Sequence, residues 1–354
     1  GYIDRSRLPS HLLSESSMYS KRAFIDFNRS IIYDKEKDKS TLSVGIKFKH
    51  EYKKLEYQDP YNSSLFGEIY EEINVSDKSR YVIQESSLYV ESDLNKFGNL
   101  KLNLLRVDSE NIFKDYLQEQ DELQLSIINQ QSNLNIDWLR KFRYFRLQLS
   151  VNKSLNEDFI ADYNQLSLVS NSIKNIQIKF NLLNQKKSPN LNYILYRSAY
   201  KNYNWYNPNL KNEELLSLST EIAYKELIKL SGEYNTIDNY TFFVEQANAL
   251  TGEFDQLRKA TPNQIESEIK YLKIKLFSKV DFGKFSIVNT AQYQQKDQEF
   301  LIDGLATLNV PEWITRNTLM YSNSVFNNSL YIQTGLTFNY FTKFYADYYN
   351  PLLS

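Results

Sequence analysis

The sequence predicts an all-β protein, a large antiparallel up-and-down β-barrel of about 14–17 strands. Apolar and polar residues alternate along many segments, as in residues 42–48 (LSVGIKF) and 145–151 (FRLQLSV). Successive side chains of a strand point to opposite faces, so this pattern gives a sheet with one apolar and one polar face. Proline and polar runs fall between the alternating segments, where turns are needed. No uninterrupted apolar run reaches the roughly 18 residues of a transmembrane helix.

The composition narrows the functional classes. Lys and Arg number 42 against 43 Asp and Glu, so the net charge is −1 and no basic excess favours nucleic-acid binding. Cysteine is absent, which excludes disulfides and thiolate metal sites. Aromatic residues make up 15% of a chain whose mean hydropathy is −0.54. A polar chain this rich in Tyr and Phe fits a membrane barrel with aromatic girdles and a wet interior.

Each predicted strand is an alternating segment bounded by turn residues. In chain order these segments lie near residues 22–33, 41–57, 80–92, 98–107, 121–129, 142–153, 160–169, 173–184, 191–201, 214–225, 227–236, 239–246, 267–280, 283–295, 299–308, 315–324 and 328–347. The last segment is long enough to hold two strands or one very long strand. Two connections are interpreted as short helices, 109–121 and 253–269, the second because Thr261, Pro262 and Gln264 resemble a helix start. A single ladder of this length favours closure into a barrel.

Alternation alone also fits a soluble β-sandwich that turns its apolar faces inward. Three features favour a membrane barrel instead. Segments 41–57 and 328–347 exceed the usual length of a globular strand. Aromatic residues cluster at 200–206 and 340–349, near segment ends, where rings suit a membrane boundary. Charge occurs in mid-strand on the polar face, at Lys101, Arg146, Lys179, Glu221, Lys273 and Lys275.

The candidate site is therefore the lining of a lumen. The polar phase of their strands predicts a lumen position for Arg146, Gln148, Gln333 and Asn339. The opposite phase predicts lipid-facing positions for Leu147, Leu149, Leu330 and Ile332. Arg146 also belongs to a basic run with Arg140, Lys141 and Arg143. That run fits a pore-mouth strip that favours anions or basic anchors at a headgroup boundary, and we prefer the anchors.

Catalytic, metal and cofactor sites are not predicted. His11 and His50 are isolated, and the acidic runs at 71–72 and 119–122 lack the spacing of a Ca²⁺ loop. The sequence contains no Gly-x-Ser-x-Gly motif and no Gly-rich phosphate loop. We expect no enzymatic activity and no cofactor.

Several stretches of the sequence stand out together, at residues 188–198 with 203–207, 233–242, 309–317 and 333–353, and also at residues 4–8 and 77–81. These stretches resemble the putative-porin family of Bacteroidota outer membranes. No short motif among them is specific, but their order and spacing together are. The resemblance implies an outer-membrane β-barrel, and it supplies no substrate and no binding residue.

The resemblance also shows a departure. Family members have more chain before the region of residue 4 and after residues 349–353, and no terminal aromatic-ended strand is visible before Ser354. We therefore expect residues 1–354 to form a single outer-membrane β-barrel domain with its ends missing, an incomplete portion of a larger barrel.

The expected function is a porin-like channel for passive diffusion of small polar solutes. The alternative is a non-conducting barrel, a subunit or scaffold of a larger outer-membrane complex, with segments 109–121 and 253–269 as candidate plugs. A weaker alternative is a soluble β-sandwich binding module at the cell surface. Expected partners are outer-membrane lipid and lipopolysaccharide, and in the scaffold alternative other outer-membrane proteins, but no nucleic acid.

Overall fold

The structure is a computed structural model that describes residues 16–34, 39–59, 67–70, 75–114, 124–156, 159–171, 174–245, 260–298 and 308–344. Its strands are β1 (Ser16–Asp34), β2 (Lys39–Asp59), β3 (Val75–Asp93), β4 (Asn99–Lys114), β5 (Gln124–Lys141), β6 (Phe145–Ser154), β7 (Ala161–Ser170), β8 (Ile176–Lys187), β9 (Leu195–Tyr196), β10 (Trp205–Tyr206), β11 (Glu213–Tyr224), β12 (Ile228–Asp238), β13 (Thr241–Glu245), β14 (Ala260–Gln264), β15 (Ile269–Phe282), β16 (Phe285–Asp297), β17 (Trp313–Val325) and β18 (Leu330–Phe341). One short helix, α1 (Leu191–Ile194), precedes β9. No helix among these residues is long and apolar enough to cross a membrane.

Fourteen of the strands form one antiparallel sheet, and their order in the sheet follows their order in the chain: β1 to β8, β11, β12 and β15 to β18. The two remaining pairs, β9 with β10 and β13 with β14, are separate hairpins within long connections. In the described residues β1 and β18 each pair on one side only, so the sheet is an arc of a barrel with two open edges.

The two ends of the sheet differ in their connections. Short turns join β3 to β4, β5 to β6, β7 to β8, β11 to β12, β15 to β16 and β17 to β18, all at one end because the strands alternate in direction. Most residues with positive φ lie in these turns, among them Lys174 and Asn175, at φ 49° and 68°. The connections at the other end are longer. Short turns at one end and longer loops at the other are the pattern of outer-membrane barrels.

The sheet has an apolar face and a polar face that run through all fourteen strands. The register places Ile46, Leu88 and Leu104 on the apolar face, where Leu88 is 53% exposed and Leu104 is 51% exposed. Tyr89 and Asn133 are on the polar face, and both are buried. Polar side chains are the more enclosed ones because the inner face of a curved sheet crowds its side chains together. An exposed apolar surface this extensive indicates contact with lipid.

A compact hydrophobic core lies on the polar face, at the end with the long connections. The connection between β8 and β11, residues 188–212, supplies most of it, and we call this segment the 188–212 connection. It carries α1, β9 and β10. The core residues are Tyr57, Val75, Phe113, Leu195, Tyr196, Ala199, Tyr200, Tyr203 and Trp205. Among the described residues no second sheet covers the apolar face, so the structure does not support the sandwich alternative.

Two sequence-based helices are wrong where the structure describes them. Residues 109–114 belong to β4, and residues 260–264 form β14. Pro262 pairs with Phe243 in that hairpin, a two-stranded pair whose strands are both edges, where a missing N–H donor is tolerated. The rest of 109–121, and 253–259 of the second segment, lie outside the described residues.

The predicted strand at 191–201 is wrong as well. This segment contains α1 and the two-residue strand β9, and it folds onto the polar face instead of extending the sheet. The prediction at 328–347 contains one strand, β18, within the described residues, and most of the predicted strand at 299–308 lies outside them. The predicted strand at 121–129 is too short, because β5 continues to Lys141.

Candidate pore lining and the connection that covers it

The four predicted lumen residues all lie on the polar face. On β6, Arg146 pairs with Lys141 and Gln148 with Leu139. On β18, Asn339 pairs with Arg316 and Gln333 with Ser322. Their strands are far apart in the sheet, so the four side chains form no common cluster. That this face borders an open lumen stays a prediction.

The four residues predicted to face lipid lie on the opposite, apolar face of the sheet. Leu149 and Leu330 are both exposed there, and Leu147 and Ile332 share their phase. The four residues of the basic run do not share one location. Lys141 and Arg146 pair on the polar face, and Arg140 pairs with Leu147 on the apolar face. Arg143 lies in the turn between β5 and β6, and its guanidinium is 5.1 Å from the ring centroid of Tyr144.

An ion-pair network covers the polar face of β1, β2 and β3. Glu51 is nearly inaccessible, and its carboxylate lies 3.0 Å from the Arg22 guanidinium and 3.0 Å from the Lys53 ammonium. Lys49 lies 2.7 Å from Glu85 and 3.6 Å from Glu51. These enclosed charges are tolerated because each of them pairs with a side chain of opposite charge. This part of the lining is therefore close to electrically neutral.

Tyr89 is a buried aromatic side chain on the polar face of β3. Its ring lies against the backbone of Gly45, where an added Cβ would be 2.2 Å from the ring. Its hydroxyl donates to Asp26 at 2.9 Å. The ammonium groups of Lys47 and Lys101 lie 4.9 and 4.5 Å from the ring centroid. Gly45 is needed because only a residue without a side chain leaves room for this ring.

A second set of ion pairs follows on β8 to β15. The pairs are Lys187 with Glu213 at 3.3 Å, Lys179 with Glu221 at 2.8 Å, Lys273 with Glu233 at 2.5 Å and Lys279 with Asp281 at 3.7 Å. Each joins residues of the polar face, so charge of both signs continues along the lining.

The 188–212 connection has a well-defined local structure. The Asn190 side chain caps α1 by accepting from the backbone N–H of Asn192 at 3.0 Å. The Trp205 indole N–H donates to the Asn192 carbonyl at 2.8 Å. Asn204 donates to the Tyr200 carbonyl at 2.7 Å. These bonds fold the segment on itself before it meets the sheet.

Two buried carboxylates fasten this connection to β2 and β3. The Tyr200 hydroxyl donates to Asp59 at 2.5 Å. The backbone N–H of Ala199 donates to Asp77 at 2.8 Å, and the Ser198 hydroxyl donates to the same carboxylate. Asp59, Ser198 and Tyr200 are fully buried. Hydrogen bonds to charged groups are stronger than neutral ones, so these contacts hold the connection firmly.

The connection thereby reaches across the arc. It leaves the sheet at β8 and β11 but docks on β2, β3 and β4, where the rings of Tyr196 and Phe113 meet edge to face at 5.7 Å. A bridge between Ile69 and Tyr200 adds a backbone link to the β2–β3 connection. The segment therefore covers part of the polar face at the end with the long connections.

The docked tyrosines stay neutral near physiological pH. Burial raises the pKa of Tyr203 to about 12. Burial, and then the hydrogen bond to Asp59, also raise the pKa of Tyr200 above its ordinary value. The Tyr200 hydroxyl therefore remains available as the proton donor to Asp59.

Sequence reasoning missed this docking and misassigned its aromatic residues. The cluster at 200–206 was interpreted as a membrane-boundary girdle, but Tyr200, Tyr203 and Trp205 are buried in the core. Dense aromatic residues are equally typical of a buried core. The acidic partners Asp59 and Asp77 carry no local signal, because they lie more than 100 positions away in the chain.

The sheet and its two faces define an outer-membrane β-barrel protein. The chain belongs to the family described as "Putative porin", whose profile matches residues 2–354. No curated protein matches its sequence. Membership of the Bacteroidota stays a prediction.

Solved structures of outer-membrane transport proteins share the fold. The siderophore receptor PirA from Acinetobacter baumannii has a TM-score of 0.58 and 12% identity, over 87% of this chain and 48% of that one. A ferric enterobactin receptor mutant from Pseudomonas aeruginosa, in complex with enterobactin, gives 0.59 and 12%, over 91% and 50%. The FrpB iron transporter from Neisseria meningitidis gives 0.54 and 10%, over 87% and 50%. The chain thus spans about half the length of these structures, and at such identity the likeness concerns the fold alone.

Proposed function

We propose that this chain lines a channel through which small polar solutes diffuse passively across the outer membrane. The observation that carries the proposal is the continuous polar face, which bears ionised side chains in mid-strand while the opposite face exposes leucine and isoleucine. Ionised groups at membrane depth are favourable only where they face water or one another. A water-filled lumen meets this need, and no chemical reaction is part of the proposal.

The 188–212 connection would narrow the entrance of this channel. In outer-membrane barrels the longer loops lie on the extracellular side, so the connection is assigned to the outer mouth. Its docking on Asp59 and Asp77 supports the interpretation of the connection as a fixed constriction, and not as a loosely moving loop.

The same connection supports the second candidate function, a non-conducting barrel that serves as a scaffold. Its buried core on the polar face is the kind of packing that a plug needs. The two functions predict different electrical behaviour, since a constriction leaves a conducting path and a plug does not.

The deciding experiment is the conductance of the purified full chain in a planar lipid bilayer. Stepwise current increases on insertion would support the channel. Insertion into proteoliposomes, checked by co-flotation, without any current steps would support the scaffold. Extraction of the protein from cells without detergent would contradict both membrane functions.

A further inference from the structure

Three cationic side chains on the polar face of β12, β15 and β17 have no ion-pair partner among the described residues, although other lysines nearby do. They are Lys229, Lys275 and Arg316, and all three are exposed. We propose that these residues, which we call the cationic strip, bind small anionic solutes through their carboxylate or phosphate groups and give the pore an anion preference. The inference rests on the proposed channel function and adds the class of solute.

The charge balance of this part of the lining supports the proposal. In the described parts of β11 to β18, the acidic side chains of the polar face are Glu213, Glu221, Glu233 and Asp281. Each of them already pairs with a lysine, at 2.5–3.7 Å. Within the described parts of these strands no carboxylate of the polar face is left over to neutralise the cationic strip, so their polar face carries a net positive charge.

The register brings the three cations into one region. Lys229 pairs with Phe277, Phe277 with Thr290 and Thr290 with Arg316, which forms a row across four strands. Neighbouring strands are about 4.8 Å apart, so the backbones of Lys229 and Arg316 are about 14 Å apart along this row. Lys275 is two residues from Phe277, about 7 Å along the strand.

Neutral donors lie between the cations. Gln292 pairs with Lys275, and Thr290 pairs with Arg316. An amide and a hydroxyl can donate to the same oxygens that the cations attract. The Arg316 guanidinium adds a planar fork that fits a carboxylate or a phosphate with two parallel bonds.

The strip lies at membrane depth. Lys275 stands between Ile274 and Leu276, whose side chains are exposed on the apolar face. An unpaired cation at this depth is stable only when it contacts water. Rings and strips of Lys and Arg select anions in other pores by the same electrostatics. In the network around Glu51 three cations pair with two carboxylates, so the excess there is one positive charge, against three in the cationic strip.

The test is the reversal potential of the purified full chain in a planar bilayer under a KCl gradient. The wild-type channel should prefer chloride over potassium, and inorganic phosphate should reduce its chloride current. Both measurements on the wild type are independent of how any variant folds. In the triple variant K229E/K275E/R316E the reversal potential should change sign, and the phosphate effect should disappear.

A matched control exchanges the charges of one existing pair. Lys273→Glu together with Glu233→Lys keeps the net charge and the pair, so its reversal potential should equal that of the wild type. A conducting wild type without anion preference, or a triple variant that keeps the preference, would overturn the inference and leave the channel in place. A wild type that inserts without conducting would overturn the proposed function and the inference with it.

Discussion

At the scale of single residues, the lining is organised by contacts between side chains on neighbouring strands. Tyr89 fills the space over Gly45, and its ring lies between two lysines. Glu51 holds its buried position because two cations lie 3.0 Å from its carboxylate. The polar face is thus a packed surface whose individual positions differ in their tolerance to change.

Replacement of Gly45 by alanine should destabilise the barrel. The new Cβ would meet the Tyr89 ring at 2.2 Å, and overpacking of this kind costs about 1–3 kcal/mol. The thermal unfolding midpoint in detergent, read by the gel shift of the folded barrel, measures the effect. Gly232→Ala is the matched control, because nothing lies within 4 Å of its added Cβ. Equal shifts for both variants would contradict the role assigned to Gly45.

Replacement of Arg146 by glutamate should move the reversal potential toward cations. Arg146 lies on the polar face and is exposed, so a change of sign there acts on ions in a lumen. Lys225→Glu in the β11–β12 turn is the control, with a smaller expected shift. An unchanged reversal potential in the Arg146 variant would count against a lumen position.

At the scale of elements, the 188–212 connection behaves as one folded unit fixed to β2, β3 and β4. Its local hydrogen bonds shape it, and Asp59 and Asp77 bind it. Its flexibility should therefore depend on a few buried contacts instead of its length.

Replacement of Asp77 by alanine should release the connection. The substitution leaves the Ala199 N–H and the Ser198 hydroxyl without their acceptor, and unsatisfied buried donors cost about 1–3 kcal/mol each. Trypsin cleavage after Lys201 in proteoliposomes should become faster. Glu266→Ala removes only the exposed pair with Lys211, so cleavage after Lys201 should stay at the wild-type rate in that control.

High pH should release the connection through its tyrosines. Tyr203 ionises near pH 12 in the docked state but near pH 10 when exposed. A pKa that is higher in the docked state stabilises docking fully below about pH 10, and this contribution is lost as the pH rises toward 12. Acrylamide quenching of Trp205 fluorescence, measured between these pH values, should increase in the wild type, because Trp205 belongs to the buried core of the docked connection. Tyr203→Phe should show a weaker pH dependence, and an identical profile would contradict the role of this residue.

At the scale of the whole molecule, the barrel arc turns its apolar face outward. This is the reverse of a soluble sandwich, and it fits a protein of the outer membrane. Among the described residues β1 and β18 each have one unpaired edge, and lipid cannot satisfy the backbone groups of an unpaired strand edge.

Two adjacent leucines test this orientation directly. Leu104 lies on the apolar face and Leu105 on the polar face, where it pairs with Ser87 and Asn133. Leu104→Arg should lower the stability of the inserted barrel by about 2–4 kcal/mol, the cost of Arg at the middle of a bilayer. Leu105→Arg should have a smaller effect, measured by reversible unfolding from lipid vesicles. The opposite order would contradict the assignment of the faces.

Much of the barrel follows from local pattern. Leu147 and Leu149 alternate with Arg146 and Gln148 in the sequence, and the register puts the two sets on opposite faces. Most strand positions follow from the same rule. The helix assigned from Thr261 and Pro262 was wrong, because a capping pattern over a few residues competes with pairing to Phe243 in β13.

The alternation of residue types was enough to assign the two faces, since the orientation of a strand side chain depends only on its position relative to its neighbours. The sequence also carried the family resemblance. The contacts of Tyr200 with Asp59 and of Ser198 with Asp77 could be found only in the folded protein, because they join residues 141 and 121 positions apart. Within the described residues, only the register between β12 and β17 shows that Lys229, Lys275 and Arg316 lie without carboxylate partners. Such pairings depend on which strands lie side by side, and no periodicity within a single strand records that.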